Sequence, residues 1–107
     1  MTMSGRISEL KIEWHVDAID DLKAIGTRDQ RRIRKALQEL SQLSDPRQRL
    51  IPYSGNLKDF WKLRAGDYRL VCQIRIEAGE YILIIRVAHR SVAYDPRSIA
   101  RISKRSK

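Results

Sequence analysis

The chain has one cysteine in 107 residues, Cys72, so no internal disulfide can form. Its two histidines, His15 and His89, have no neighbours at metal-ligand spacing, and no metal site is expected. Neither a GxGxxG fingerprint nor a P-loop occurs, which removes support for nucleotide-cofactor chemistry, and no cofactor is expected. No stretch approaches the roughly eighteen apolar residues needed to cross a membrane, and residues 1–6 lack an apolar signal core. The expectation is a cytoplasmic protein with no membrane partner. Cys72 falls in an apolar-rich strand, where a buried, inert thiol is expected; a nucleophile would need a base supplied by the fold.

What the chain does have is positive charge. Twenty-two Lys and Arg residues stand against 13 Asp and Glu, a formal net charge of +9 at pH 7. Such a bias says little about fold, but it points to a polyanion, an acidic protein or both as partners. Hydrophobic residues make up 42% of the sequence, enough for the core of one small domain spanning residues 1–107.

Periodicity gives the elements. Leu10, Ile12 and Trp14 alternate with Lys11 and Glu13 as a short strand. Asp17 is placed to cap a helix with Ala18, Ile19, Leu22 and Ile25 on its apolar side, ended by Gly26. A second helix is predicted from Thr27 or Arg28 to about Leu43, with Ile33, Ala36, Leu37, Leu40 and Leu43 in one stripe. Its other side carries Arg28, Arg31, Arg32, Arg34 and Lys35. Asp20 and Asp21 are expected to face water. Asp45–Pro46, Pro52 and Ser54–Gly55–Asn56 then mark a connection. Strands follow at residues 60–65, 68–76 and 81–88, separated by turns at Gly66–Asp67 and Ala78–Gly79. Residues 1–8 and about 96–107 are expected to be flexible or helical extensions. The fold class expected is α+β: a small antiparallel sheet, with a mixed pairing open at the N-terminal strand, and a helical hairpin on one face in the order β-α-α-β-β-β. The other sheet face is left for polar work.

The cations gather in the second half. Residues 86–107 carry seven basic residues, among them Arg90, Arg97, Arg101 and Lys104, and one acid, Asp95. Lys58, Lys62, Arg64, Arg69 and Arg75 precede them. Lys62 and Arg64 share one side of their strand, and Arg69, Gln73 and Arg75 share a side of the next. Pairing across Gly66 would gather these cations where they can face phosphates. Metal-free RNA cleavage needs little more, because the substrate supplies its own 2′-OH nucleophile. The protein must orient it, move protons and stabilise charge. Composition leaves open both a nuclease and a passive RNA-binding surface.

Residues 57–73 read LKDFWKLRAGDYRLVCQ, and residues 87–94 read VAHRSVAY. The first resembles the hallmark of the RelE/ParE toxin superfamily, a strand ending K-L-R followed by a turn and Y-R-L-V. The second resembles that family's final strand and the R…Y segment after it. Within the superfamily the chain looks most like the RelE-type mRNA interferases. That resemblance implies the toxin of a type II toxin–antitoxin system that inhibits translation by ribosome-dependent, metal-independent cutting of mRNA. It implies a cognate antitoxin, mRNA in the ribosomal A site and ribosomal RNA as partners. It further implies that Lys62 helps activate the 2′-OH, that Arg69 stabilises the phosphate, that Arg90 supports charge or proton transfer at the leaving side, and that Tyr94 positions the nucleotide. Lys58, Arg64, Arg75, His89, Arg97, Arg101 and Lys104 are candidates for contact with RNA or the ribosome, although His89 also reads as a structural residue. Some RelE toxins carry a second lysine two residues before the position of Lys62, where this chain has Phe60. A ParE-like gyrase inhibitor and a noncatalytic antitoxin- or RNA-binding member are the alternatives.

Overall fold

The computed structural model describes residues 11–106. Leu10, the extension over residues 1–8 and Lys107 lie outside the described residues. Five strands, β1 (Lys11–Trp14), β2 (Ile51–Pro52), β3 (Trp61–Ala65), β4 (Tyr68–Ile76) and β5 (Glu80–His89), form one sheet in the order β1-β5-β4-β3-β2. β1 runs parallel to β5, and the other pairs are antiparallel. The α+β class and the element order are as expected, with the mixed pairing at the N-terminal strand.

Helices α1 (Val16–Lys23) and α2 (Thr27–Ser41) cover one face of the sheet. Ile33, Ala36, Leu37 and Leu40 of α2 bury the predicted stripe against Leu63, Leu70, Cys72, Ile82, Ile84 and Val87. Boundaries differ from the sequence reading. His15, not Asp17, is the N-cap of α1; its Nδ1 accepts from the Asp17 N–H at 3.0 Å. The helix stops at Lys23, and Gly26 instead sits at the N-cap of α2. Leu43 follows the end of α2 and packs against the core from the connection.

The opposite face is the main correction. It is not left wholly to polar groups: a third helix, α3 (Pro96–Arg105), covers part of it. Ile102 joins Leu57, Phe60, Val71 and Ile85 in a second buried cluster, with Tyr53, Leu83 and Ile99 packed against it. Asp95 caps the helix, accepting from Ser98 N–H at 2.9 Å, and Pro96 occupies the first turn, where its missing N–H is not needed. A bulge lets β5 serve both faces. Cys72 pairs with Ile84 but Val71 pairs with Arg86, so Ile85 is the extra residue and Ile85 and Arg86 both face α3.

Asp21 also departs from expectation. β1 ends opposite Ile84, leaving the next backbone groups of β5 without a strand partner on that side. Asp21 accepts from the Val87 N–H at 3.0 Å, and Arg105 donates to the Ile85 carbonyl at 3.0 Å. Arg105 and Asp21 then pair with each other at 2.7 Å. One carboxylate therefore joins α1, β5 and α3. Arg86, buried beside this pair, donates to Ser98 at 2.9 Å. Burial lowers its pKa, with Asp21 opposing the shift.

Candidate functional site

β3 and β4 register as the sequence requires: Leu63 and Ala65 turn to the helical hairpin, so Lys62 and Arg64 leave the strand on the other side. Arg64, at the open strand edge, also borders the cleft beside α2. Arg64 stands directly opposite Arg69, and Lys62 opposite Val71. Like charges across a strand pair repel, so an Arg64–Arg69 pair adds nothing to sheet stability. The turn between the strands places Gly66 at φ +61°, a conformation that side chains with a Cβ rarely adopt. Arg69 folds back over this turn, donating to the carbonyls of Gly66 and Tyr68, both at 2.9 Å.

The sharpest contact lies between Lys62 and Tyr94. Lys62 Nζ donates to the Tyr94 hydroxyl at 2.6 Å and lies 5.1 Å from the centre of that ring. Tyr94 belongs to the turn before α3, held down by the buried Ala93 on one side and the capped helix on the other. A third residue completes the cluster, one that sequence reasoning missed. Tyr53 meets the Tyr94 ring edge-on with centroids 5.9 Å apart, and Lys62 Nζ is 5.6 Å from the Tyr53 ring centre. The Tyr53 hydroxyl is buried without a hydrogen-bond partner among the described residues, a costly and uncommon state. Burial first, and then the neighbouring Tyr94, raise its pKa well above the tyrosine range. Tyr53 follows Pro52 in the connection, 41 residues before Tyr94 in the sequence, so no local pattern could reveal the pairing.

Arg90 sits one residue beyond β5. Its N–H donates to the Asp67 carbonyl at 2.8 Å, and its exposed guanidinium lies 3.8 Å from the Asp67 carboxylate. Arg69 and Arg90 are thus both fixed at the β3–β4 turn, while Lys62 and Tyr94 form a separate contact. His89 is placed differently. It pairs with Tyr68 and packs edge-on to that ring at 5.4 Å, on the helical-hairpin side of the sheet, with Nδ1 bonded to Ser91 at 2.8 Å. It does not share a face with Lys62.

The remaining candidates scatter. Lys58 is exposed at the end of the short turn before β3. Arg75 is engaged by Gln73 at 2.6 Å and by the Ser106 carbonyl at 3.0 Å, which ties the end of α3 to β4. Arg97 is exposed on α3. Arg101 and Lys104 line a cleft of about 370 Å³ with His15, Asp17 and Arg105, beside the start of α1. Among the described residues no group of His, Cys, Asp and Glu could hold a metal ion. Likewise, no helix among them is long and apolar enough to cross a membrane.

The chain thus presents a mixed sheet with a helical hairpin on one face and the Lys62–Tyr94–Tyr53 cluster, Arg64 and Arg69 on the other. Residues 12–94 match the family described as ParE toxin of type II toxin–antitoxin system, parDE. The chain belongs to this family of type II toxins. Solved structures agree. The toxin–antitoxin complex RelBE2 from Mycobacterium tuberculosis matches at TM-score 0.66 and 25% identity, over 77% of this chain and 99% of that one. A free mutant of the Escherichia coli toxin RelE matches at 0.65 and 21%, over 91% and 97%. A YoeB/ParE toxin from Agrobacterium tumefaciens matches at 0.59 and 15%, over 75% and 98%. No curated protein matches the sequence.

Proposed function

We propose that this toxin is a ribosome-dependent mRNA endonuclease. The observation that supports the reading best is the Lys62–Tyr94 contact of 2.6 Å on a face that also presents Arg64 and Arg69. In the proposed reaction the 2′-oxygen attacks the adjacent phosphorus and the P–O5′ bond breaks. This leaves a 2′,3′-cyclic phosphate and a 5′-hydroxyl. One proton leaves the 2′-OH and one reaches O5′. Lys62 acts at the 2′-oxygen, with Tyr94 fixing its Nζ and offering a ring for a base to stack on. Arg69, held at the turn, meets the charge that builds on the phosphate, and Arg90 acts at the leaving side. Metal is not required by this scheme. The ribosome supplies what this site lacks: an mRNA strand already held in line for attack, with ribosomal RNA as a second surface.

The cognate partner is an antitoxin, as in the RelB–RelE complexes that this fold resembles. It would cover the basic surface by charge and add apolar anchors.

A second reading has one observation in its favour. The family matched over residues 12–94 is that of ParE, so inhibition of DNA gyrase stands as the alternative. One experiment separates the two. Purified toxin is added to programmed ribosomes, to the same mRNA free in solution, and to gyrase with relaxed plasmid. Cutting of ribosome-bound mRNA with naked mRNA and supercoiling intact is expected. Loss of supercoiling with intact mRNA would overturn the reading in favour of gyrase. Equal cutting of naked and ribosome-bound mRNA would overturn its ribosome dependence.

A further inference from the structure

The strongly cationic side of α2 does not simply face water. Arg32 lies over the β3–β4 turn: a Cβ on Gly66 would stand 3.3 Å from both its Cδ and its NH1. Between α2 and this end of β3 lies a cleft of about 290 Å³, lined by Arg32, Lys35, Glu39, Arg49 and Arg64 with Ala36, Ala65 and Gly66. It sits where β3 is open at its outer edge, because β2 pairs only with Trp61 and Lys62. Four cations stand against one acid there. Arg49 reaches Glu39 at 3.6 Å, whereas Arg32, Lys35 and Arg64 have no ion pair among the described residues. Gathering cations around one hollow with so little neutralisation is unfavourable for the free protein, and it makes the hollow a strong attractor for anions. The lining also selects the kind of anion. Its apolar part is two alanines and a glycine, too little to anchor a protein partner, whose interfaces centre on large side chains. A phosphodiester chain needs only spaced cations.

The geometry points to a second phosphate-binding site: the cleft between α2 and the open edge of β3 grips the backbone of a single-stranded RNA through Arg32, Lys35, Arg49 and Arg64. Arg64 links the two sites. It stands opposite Arg69 on the face that carries Lys62, and it also lines the cleft. A strand lying on the first site therefore has a continuous cationic path around the sheet edge. The identity of the strand as RNA rests on the endonuclease reading, but the site itself is read by binding alone.

The test measures binding of a short, 2′-O-methylated single-stranded RNA, which cannot be cut, across a series of salt concentrations. Each single-strand phosphate contact contributes about 0.7 to the slope of log affinity on log salt. An Arg32→Gln/Lys35→Gln variant is expected to lower the slope by about 1.4, the sum of two such contacts. Arg28→Gln/Arg34→Gln removes the same charge from the same helix outside the cleft, and is expected to leave the slope nearly unchanged. Thermal melting of both variants checks that each is folded. Equal losses in the two variants would mean general attraction and overturn the site, as would an unchanged slope in the first. Binding of polyglutamate is measured alongside. A cleft variant that loses polyglutamate but keeps RNA would assign the hollow to an acidic protein instead. If the RNA slope falls as expected while ribosome-bound mRNA stays intact, the site stands and the endonuclease reading fails.

Discussion

Lys62 shows why a side chain's neighbours decide its use. A lone lysine on an exposed strand is a mobile surface charge, whereas Lys62 is held by the Tyr94 hydroxyl and flanked by two aromatic rings. The K-L-R motif made Lys62 visible in the sequence, and the R…Y segment made Tyr94 visible. Tyr53 was not, because it enters through a turn-rich connection with no periodicity of its own. Its ring meets Tyr94 edge-on and lies 5.6 Å from Lys62 Nζ, so it is expected to help hold the other two. Loss of an edge-on aromatic contact weakens positioning by about 0.5–1.5 kcal/mol. Tyr53→Ala is accordingly predicted to slow single-turnover cleavage about two- to twelvefold. Tyr53→Phe keeps the ring and deletes only the unpartnered hydroxyl, so it should cleave at nearly the normal rate and melt no lower. A Phe variant as slow as the Ala variant would show that the hydroxyl itself takes part. Cys72 makes the opposite case. It is fully buried, and burial alone pushes its thiol from the ordinary 9.0 up to about 12. The folded state therefore keeps its proton where the unfolded chain loses it, and this group's contribution to stability declines as pH rises from 9.0 toward 12. Below that window it should resist thiol reagents in native protein and react once the protein is denatured; rapid native labelling would contradict its burial.

Among the elements, α3 was the least legible. Its Asp-Pro start and its Ile99–Ile102 spacing were visible, yet a helix of ten residues is too short to declare itself without the surface it packs on. That surface exists because Val71 and Ile85 break the polar pattern of the second sheet face, and the β5 bulge that aims Ile85 and Arg86 at α3 has no sequence signature. The same docking changes the meaning of Arg105, which the sequence presents as one more cation in a basic tail. Its side chain is only 12% exposed and answers Asp21, Asp17 and the Ile85 carbonyl. Substituting terminal cations together would therefore mix charge loss with loss of packing. Two variants separate them. Arg105→Ala takes from the half-buried Asp21 its closest cation, leaving Arg86 at 3.9 Å and the Val87 N–H, and is predicted to lower stability by about 1–3 kcal/mol. Ile102→Ala opens a cavity under the helix at a cost of about 2–5 kcal/mol. Lys104→Ala should leave stability unchanged. Denaturant melts of the three proteins check this order, and an Arg105→Ala variant as stable as wild type would show that α3 is not locked through Asp21.

For the whole molecule, the helical hairpin and β3 could be read from periodicity because each buries a single stripe, whereas β4 and β5 bury side chains on both faces. The first face of the sheet follows directly from the parities of β3 and β4. Function needed more than the fold, since toxins named RelE and YoeB/ParE share this scaffold. Lys62 and Tyr94 form one contact, while Arg69 and Arg90 are held at the β3–β4 turn. His89, adjacent to Arg90 in sequence, is turned to the other side of the sheet by strand alternation and packs on Tyr68. It should contribute to stability rather than to proton transfer, and His89→Gln should leave the pH dependence of cleavage unchanged. The central claim is that Lys62 performs chemistry, and single-turnover cleavage on ribosomes saturated with toxin tests it most directly. Lys62→Ala, folded and still bound to the ribosome, is predicted to cut about a hundredfold to a thousandfold more slowly, the loss expected for a positioned transition-state contact. A near-normal rate from that folded, ribosome-bound variant would contradict the account.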